Sequence, residues 1–123
     1  MKTNNENVSC LLNRYLSKIG RLGDKYQGDE LIFTLDSGER YKMYHNQGCC
    51  EHVYIESIVG NLDDLIDSPL TMSEEQSDVD EIKGLYSRTW TFYKFATVKG
   101  YVTIRWCGES NGHYSESVDF QKL

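Results

Sequence analysis

The first periodic stretch of the chain has apolar residues at a helical spacing. In "VSCLLNRYLSKIGRL" they lie close to one face of a helix, at Val8, Leu11, Leu12, Tyr15, Leu16 and Ile19. Ser9 is placed to cap the N-terminus, and Gly20 or Gly23 to end the last turn. The pattern therefore predicts an N-terminal α-helix.

Further along the chain, apolar and polar residues alternate. "ELIFTL" and "RYKMYH" are rich in β-forming residues and are separated by "DSGE", which is typical of a hairpin with a glycine-containing turn. Alternation places Tyr41, Met43 and His45 on the apolar face of the second strand. "HVYIESIVG" predicts a further strand, with Val53 and Ile55 facing inward.

The C-terminal third carries the clearest strand pattern. "RTWTFYKFAT", "YVTIRWCG" and "HYSESVDF" predict an antiparallel meander of three strands, with Val102, Ile104 and Trp106 on its core face. Before them, "NLDDLID" predicts a single helical turn, and "TMSEEQSDVDEIKG" a long polar loop with a short edge strand. The predicted fold class is α+β: a mainly antiparallel β-sheet, curved or partly closed, with one or two helices against it.

Length and composition predict one folded domain, residues 1–123. The chain has 39% hydrophobic and 26% charged residues, as globular proteins do. Its first residues lack the apolar core of a signal peptide, and no apolar run approaches the roughly 20 residues that span a bilayer. We therefore expect a cytoplasmic protein without a membrane partner, whose four cysteines are reduced thiols.

Negative charge is concentrated in the middle of the chain. Between Met43 and Ile82 there are ten acidic residues and no lysine or arginine, although the net charge is only -6. Such a segment disfavours direct nucleic-acid binding and favours docking on a basic protein groove that normally holds nucleic acid. The alternative is a solvated acidic face. The candidate partner-binding residues are Asp63, Asp64, Asp67, Glu74, Glu75 and Asp78.

A cluster of candidate zinc ligands lies in "YHNQGCCEH". Zinc favours thiolate and imidazole ligands in tetrahedral geometry. The candidate ligands are His45, Cys49, Cys50 and His52. Adjacent cysteines point to opposite sides of an extended backbone, so they rarely bind one zinc ion together. A second possible arrangement therefore uses only one cysteine and a ligand from elsewhere in the chain. The candidates for that ligand are Glu74, Glu75 and His113.

Three other interpretations of this cluster stay open. The first is that the residues are ordinary core side chains, the second that the cysteines are a vicinal redox pair, and the third that a cysteine is a nucleophile with a histidine as its base. The nucleophile is disfavoured, because the surrounding segment has no lysine or arginine to stabilise a thiolate.

Aromatic and basic residues are interleaved in the C-terminal strands. Trp90 and Arg105 are candidates for a nucleotide-stacking platform, with the arginine on a phosphate. The alternative is that Trp90 and Phe92 fill the core together with Val102, Ile104 and Trp106.

Several motifs resemble a family of small proteins encoded by phages and prophages of Gram-positive bacteria. The shared motifs are "MYH", "CCE", "VYIE", "TWTFYK", "KGYVTIRW" and a Ser-Asn-Gly turn, within segments that cover a little over half the chain. His45, Cys49, Cys50 and Glu51 lie inside these motifs, whereas the resemblance departs at His52 and at His113.

The resemblance implies an anti-CRISPR protein, since small acidic phage proteins of this kind often disable host defence. The expected activity is non-enzymatic inhibition of a type II RNA-guided nuclease in the bacterial host, through the acidic surface and with a structural zinc ion. A sponge for a nucleotide second messenger is the first alternative, and a small metal-dependent enzyme is the second.

Overall fold

Eight β-strands make up the computed structural model, which describes residues 6–82 and 86–123. They are β1 (Leu16–Leu22), β2 (Glu30–Leu35), β3 (Arg40–Tyr44), β4 (His52–Val59), β5 (Met72–Ile82), β6 (Tyr86–Thr97), β7 (Gly100–Ser110) and β8 (Asp119–Lys122). They form two four-stranded antiparallel sheets, ordered β1-β2-β3-β8 and β4-β7-β6-β5. The described helices are two 3-10 turns, Val8–Leu11 and Leu62–Leu65.

The two sheets share one hydrophobic core. Phe33 of β2 lies with its ring centroid 5.7 Å from that of Phe95 of β6, and 5.7 Å from that of Phe120 of β8. Val102, Ile104 and Trp106 are buried in the same cluster, which confirms the predicted core face of β7. The predicted antiparallel architecture is confirmed, but the sheets are open rather than partly closed.

The predicted N-terminal α-helix is wrong, and with it the α+β class. The chain makes one 3-10 turn, reaches Asn13 with φ 67°, and then enters β1, which pairs with β2. Leu16 is buried by this pairing, whereas Leu12 and Tyr15 of the predicted apolar face are exposed. The helical spacing thus arose from a turn followed by a strand, because sheet pairing overrides local periodicity.

The end of the chain also departs from the predicted meander. Only Asp119–Lys122 is a strand, and it pairs with β3 of the first sheet instead of β7. The preceding residues cross between the sheets and bury Glu116, whose carboxylate accepts hydrogen bonds from the hydroxyls of Ser87, Thr89 and Ser110. Glycine is required at Gly108, since a Cβ there would lie 2.5 Å from the Glu116 carbonyl oxygen.

The β2–β3 hairpin and the short helical turn before β5 are confirmed. The edge strand predicted in the acidic segment is longer than expected, because most of the predicted polar loop belongs to an 11-residue strand at the edge of the second sheet. Within the part of the chain described, no helix has the length and apolar content needed to cross a membrane.

Candidate functional site

A buried histidine and a buried glutamate meet just beyond the end of β3. The His45 Nε2 atom lies 2.7 Å from Glu51 Oε2, and the two side chains are 4% and 1% exposed. The His45 Nδ1 atom lies 2.7 Å from the Ser117 carbonyl oxygen. Because a carbonyl oxygen only accepts hydrogen bonds, Nδ1 carries a proton and donates it there.

The Glu51 carboxylate is ionised by its surroundings. Burial alone would raise its pKa, but the backbone N–H groups of Cys49 and Gly48, at 2.8 and 2.6 Å, and the His45 ring outweigh burial and lower the pKa to about 2. Since Nε2 faces this carboxylate, it donates as well, and the imidazole carries both protons. The His45–Glu51 pair is therefore a buried ion pair that joins β3, the following loop and the crossing segment at Ser117.

The four predicted zinc ligands do not converge. His45 is engaged by Glu51 and Ser117, and His52 Nε2 lies 2.6 Å from the Lys25 carbonyl oxygen. Cys49 and Cys50 are joined by a disulfide, in contrast to the predicted thiols, while Cys10 and Cys107 are free.

As placed, the residues do not fit a tetrahedral site, and no group of three or more His, Cys, Asp or Glu side chains within residues 6–82 and 86–123 is arranged to hold a metal ion. Zinc stays a prediction, which elemental analysis of chelator-free protein decides.

Three of the candidate partner-binding acids lie on an exposed edge of the second sheet. Every residue from Glu74 to Asp80 is exposed, and this stretch, the β5 edge, contains four acids and no base. Register with β6 places Glu74, Asp78 and Asp80 on the outer face of the sheet and Glu75 on the inner face. Lys94 and Arg88 of β6 lie opposite Glu74 and Asp80, so the acids are less isolated in the fold than along the chain.

The other three candidates, Asp63, Asp64 and Asp67, lie at the end of the sheet where β6 turns into β7. The Thr97 hydroxyl donates to the Asp64 carbonyl oxygen, and a Cβ at Gly100 would lie 2.6 Å from Asp64 Oδ2. Asp67 has a φ of 61° and donates its N–H to the Leu16 carbonyl oxygen. The structure thus divides the predicted acidic surface between this turn, where Asp63 and Asp67 are exposed and Asp64 is half-buried, and the β5 edge.

The outer face of the second sheet carries an aromatic and basic cluster around Trp90. The Arg105 guanidinium lies 4.3 Å from the Trp90 ring centroid, and the Arg88 guanidinium 5.8 Å. Arg105 also pairs with Glu56 at 3.2 Å and Arg88 with Glu109 at 3.1 Å.

The interpretation of Trp90 and Phe92 as core residues is wrong, since both are half-buried on the outer face while Tyr93 and Phe95 fill the core. Lys94 is the sequence signal for this arrangement, because alternation puts it on the face of Trp90 and Phe92.

The fold and these surfaces define a small two-sheet β protein with an acidic edge. The chain belongs to the DUF7448 family, described as a domain of unknown function, which it matches over residues 9–120. No curated protein and no solved structure matches it.

Proposed function

We propose that this protein is a non-enzymatic binding protein that docks its β5 edge on a basic surface of another protein. In its most specific form, the proposal is a phage-encoded anti-CRISPR inhibitor that occupies the nucleic-acid groove of a type II RNA-guided nuclease. The observation that carries the proposal is the β5 edge itself: four carboxylates without a base, on seven consecutive exposed residues.

Electrostatics explain why such an edge would find this kind of partner. Grooves that hold guide or target nucleic acid are lined with lysine and arginine, and an opposite charge steers association over roughly the Debye length, about 8 to 10 Å at physiological salt. Residues that point to the same face of a strand repeat about every 7 Å, so Glu74, Asp78 and Asp80 form a row of charge on the outer face that is interrupted at Gln76.

Charge reversal tests the docking surface. Glu75→Lys with Asp78→Lys should lower the association rate with the nuclease about ten-fold, and the loss should shrink as salt rises. The measurement is surface plasmon resonance at several salt concentrations, with inhibition of cleavage as a second readout.

The matched control is Glu6→Lys with Asp36→Lys, which changes the net charge by the same amount at exposed positions outside β5. Equal effects of the two variants would show that the β5 edge is only a solvated face.

A nucleotide sponge is a second candidate, and the outward position of Trp90 between Arg88 and Arg105 favours it. Each guanidinium already has a carboxylate partner, in Glu109 and Glu56, which an anionic ligand would have to displace. We therefore expect calorimetric titration with cyclic dinucleotides and ADP-ribose derivatives to show nothing tighter than roughly millimolar binding. A micromolar affinity that Trp90→Ala abolishes would replace the docking proposal with the sponge.

A further inference from the structure

Four strands lie at sheet edges: β1 and β8 in the first sheet, β4 and β5 in the second. An edge strand presents backbone N–H and C=O groups on one side to any extended chain that can pair with it. Folded proteins block such edges with bulges, short strands, charged side chains or covering groups. The four edges of this protein differ in how far they are blocked.

The edge at β4 is interrupted and covered. Its register with β7 shifts between Ile55 and Ser57. The Ile55 N–H donates to Asp29 Oδ2 at 2.7 Å, and the Asp29 side chain is fully buried in an ion pair with Arg21. A foreign strand would have to displace this carboxylate.

The two edges of the first sheet are also blocked or shortened. β8 has four residues, and its Phe120 carbonyl oxygen accepts a hydrogen bond from the Glu6 N–H at 2.6 Å. β1 has seven residues, and its register with β2 shifts between Leu16 and Lys18. Neither edge offers a long regular row of backbone groups.

Among the described residues, the edge at β5 has no bulge, is not short and is covered only at its start, so its acidic side chains are its remaining protection. Its eleven residues pair with β6 in continuous register from Met72 to Ile82, without a bulge. The 3-10 turn near Val8 reaches only the start of the strand, where the Ser73 hydroxyl donates to the Val8 carbonyl oxygen. From Glu74 to Asp80 every residue is exposed, and no other described strand pairs with β5.

The charge of this edge selects what can pair with it. A second β5 edge would bring like charges into direct opposition, which destabilises strand pairing. A strand with cations on one face would instead meet the outer-face residues Glu74, Gln76, Asp78 and Asp80. Its intervening side chains would lie on the other face beside Val79, which is 66% exposed.

We propose that β5 binds an extended segment of the partner protein as an added strand, with lysine or arginine at alternate positions. This inference rests on the proposed function and deepens it, because backbone pairing would fix the register while the acidic residues select the sequence. The expected partner is thus an extended protein segment in which every second residue is lysine or arginine, and not only a basic surface.

Synthetic peptides test the backbone pairing separately from the charge. The parent probe is the capped nonapeptide TKVRVKVRT. In one derivative the backbone nitrogens of the four cationic residues are methylated, and in the other those of the valines. Because N–H groups of alternate residues point to opposite edges of a strand, each derivative loses the donors of one edge only and keeps its charge.

We expect exactly one derivative to bind at least ten-fold more weakly than the parent in calorimetry, and the parent to slow hydrogen exchange at alternate amides between Glu74 and Asp80. Asp78→Lys should weaken binding of the parent peptide, whereas the control Asp36→Lys should not.

Three results would overturn the addition of a basic partner strand. If both methylated peptides bind as tightly as the parent, charge alone holds the peptide, and the docking proposal survives without added-strand pairing. If the parent fails to bind up to about millimolar concentration, or leaves exchange in β5 unchanged, no basic strand adds there. Self-association of the peptide-free protein through Lys18 and Arg21 of β1, seen in sedimentation and abolished by Asp78→Lys, would make a second copy the occupant instead.

Discussion

The His45–Glu51 pair and the β5 edge are both rich in charged groups, but the charges of the first are buried and paired and those of the second are exposed. The Glu51 carboxylate is buried and receives hydrogen bonds from two backbone N–H groups and an imidazolium, which itself donates to Ser117. The acids of the β5 edge are exposed, and only two of the four have a base opposite them across the strand pair.

This difference separates structural charge from charge available to a partner. A buried ion pair with all its donors and acceptors used has nothing left to offer a ligand, and removing one member leaves an uncompensated charge inside the protein. Exposed carboxylates on an edge contribute little to folding but keep their full capacity to interact. The "MYH" and "CCE" motifs thus contain a fold-stabilising pair, while the candidate binding surface lies in β5.

Breaking the buried pair should have the largest effect. Glu51→Gln leaves the His45 imidazolium without its counter-ion and sets an amide against donors that require an acceptor. We expect the free energy of unfolding to fall by about 3–5 kcal/mol. Urea denaturation followed by circular dichroism measures the change.

A double-mutant cycle shows whether the loss belongs to the pair. Removing the imidazolium as well, in His45→Gln with Glu51→Gln, should recover part of the stability, because no unpaired charge then remains buried. Strictly additive losses would mean that the two side chains do not interact energetically in solution.

The pH dependence of stability should report the same pair. Folding lowers the pKa of Glu51 from its usual 4.5 to about 2, so the unfolded chain takes up the proton at a higher pH than the folded one. The stabilisation is therefore complete above pH 4.5 and is lost as the pH falls from 4.5 toward 2.

Glu39, whose pKa the Arg14 guanidinium, the Ser37 hydroxyl and Lys122 also hold at about 2, contributes equally to wild type and to Glu51→Gln. The difference between the two proteins in urea midpoints at pH 5 and pH 3 isolates Glu51. A difference that stays constant between these pH values would contradict the assigned ionisation.

The sequence allowed parts of both regions to be predicted where short-range pattern decides the structure. The alternation of apolar and polar residues predicted the core face of β7. The cluster of histidines and cysteines indicated His45, and the run of acids without a base indicated β5. Burial of Asp29 and Glu116 could not be predicted, because some of their partners lie far along the chain: Ile55 for the first, and Ser87 and Thr89 for the second. Aspartate and glutamate side chains are normally exposed, and only contacts with residues distant in the sequence allow these two to be buried.

The same limit explains why the pairing of Glu51 with His45 was missed. Both residues were visible in one motif, but a histidine between strands and next to two cysteines has the chemistry of a metal ligand. Only the folded loop shows that the N–H groups of Gly48 and Cys49 surround the carboxylate. Similarly, the apolar spacing before and within β1 matched a helix, because strand β2, with which Leu16 pairs, lies outside the local window of sequence.

The smallest change in stability is expected at the β5 edge. Neutralising its four acids, as Glu74→Gln, Glu75→Gln, Asp78→Asn and Asp80→Asn, removes attraction to Lys94 and Arg88 but also repulsion among neighbouring carboxylates. These terms are each a few tenths of a kcal/mol at exposed positions and oppose one another, so the free energy of unfolding should change by less than about 0.5 kcal/mol.

The neutralised edge should nevertheless behave differently in solution. Without like charge, nothing opposes pairing between two regular β5 edges, and sedimentation should show concentration-dependent association that wild type lacks. A variant that stays monomeric and loses several kcal/mol in its free energy of unfolding would contradict this comparison. The acids of the β5 edge would then stabilise the sheet, as the His45–Glu51 pair stabilises its loop.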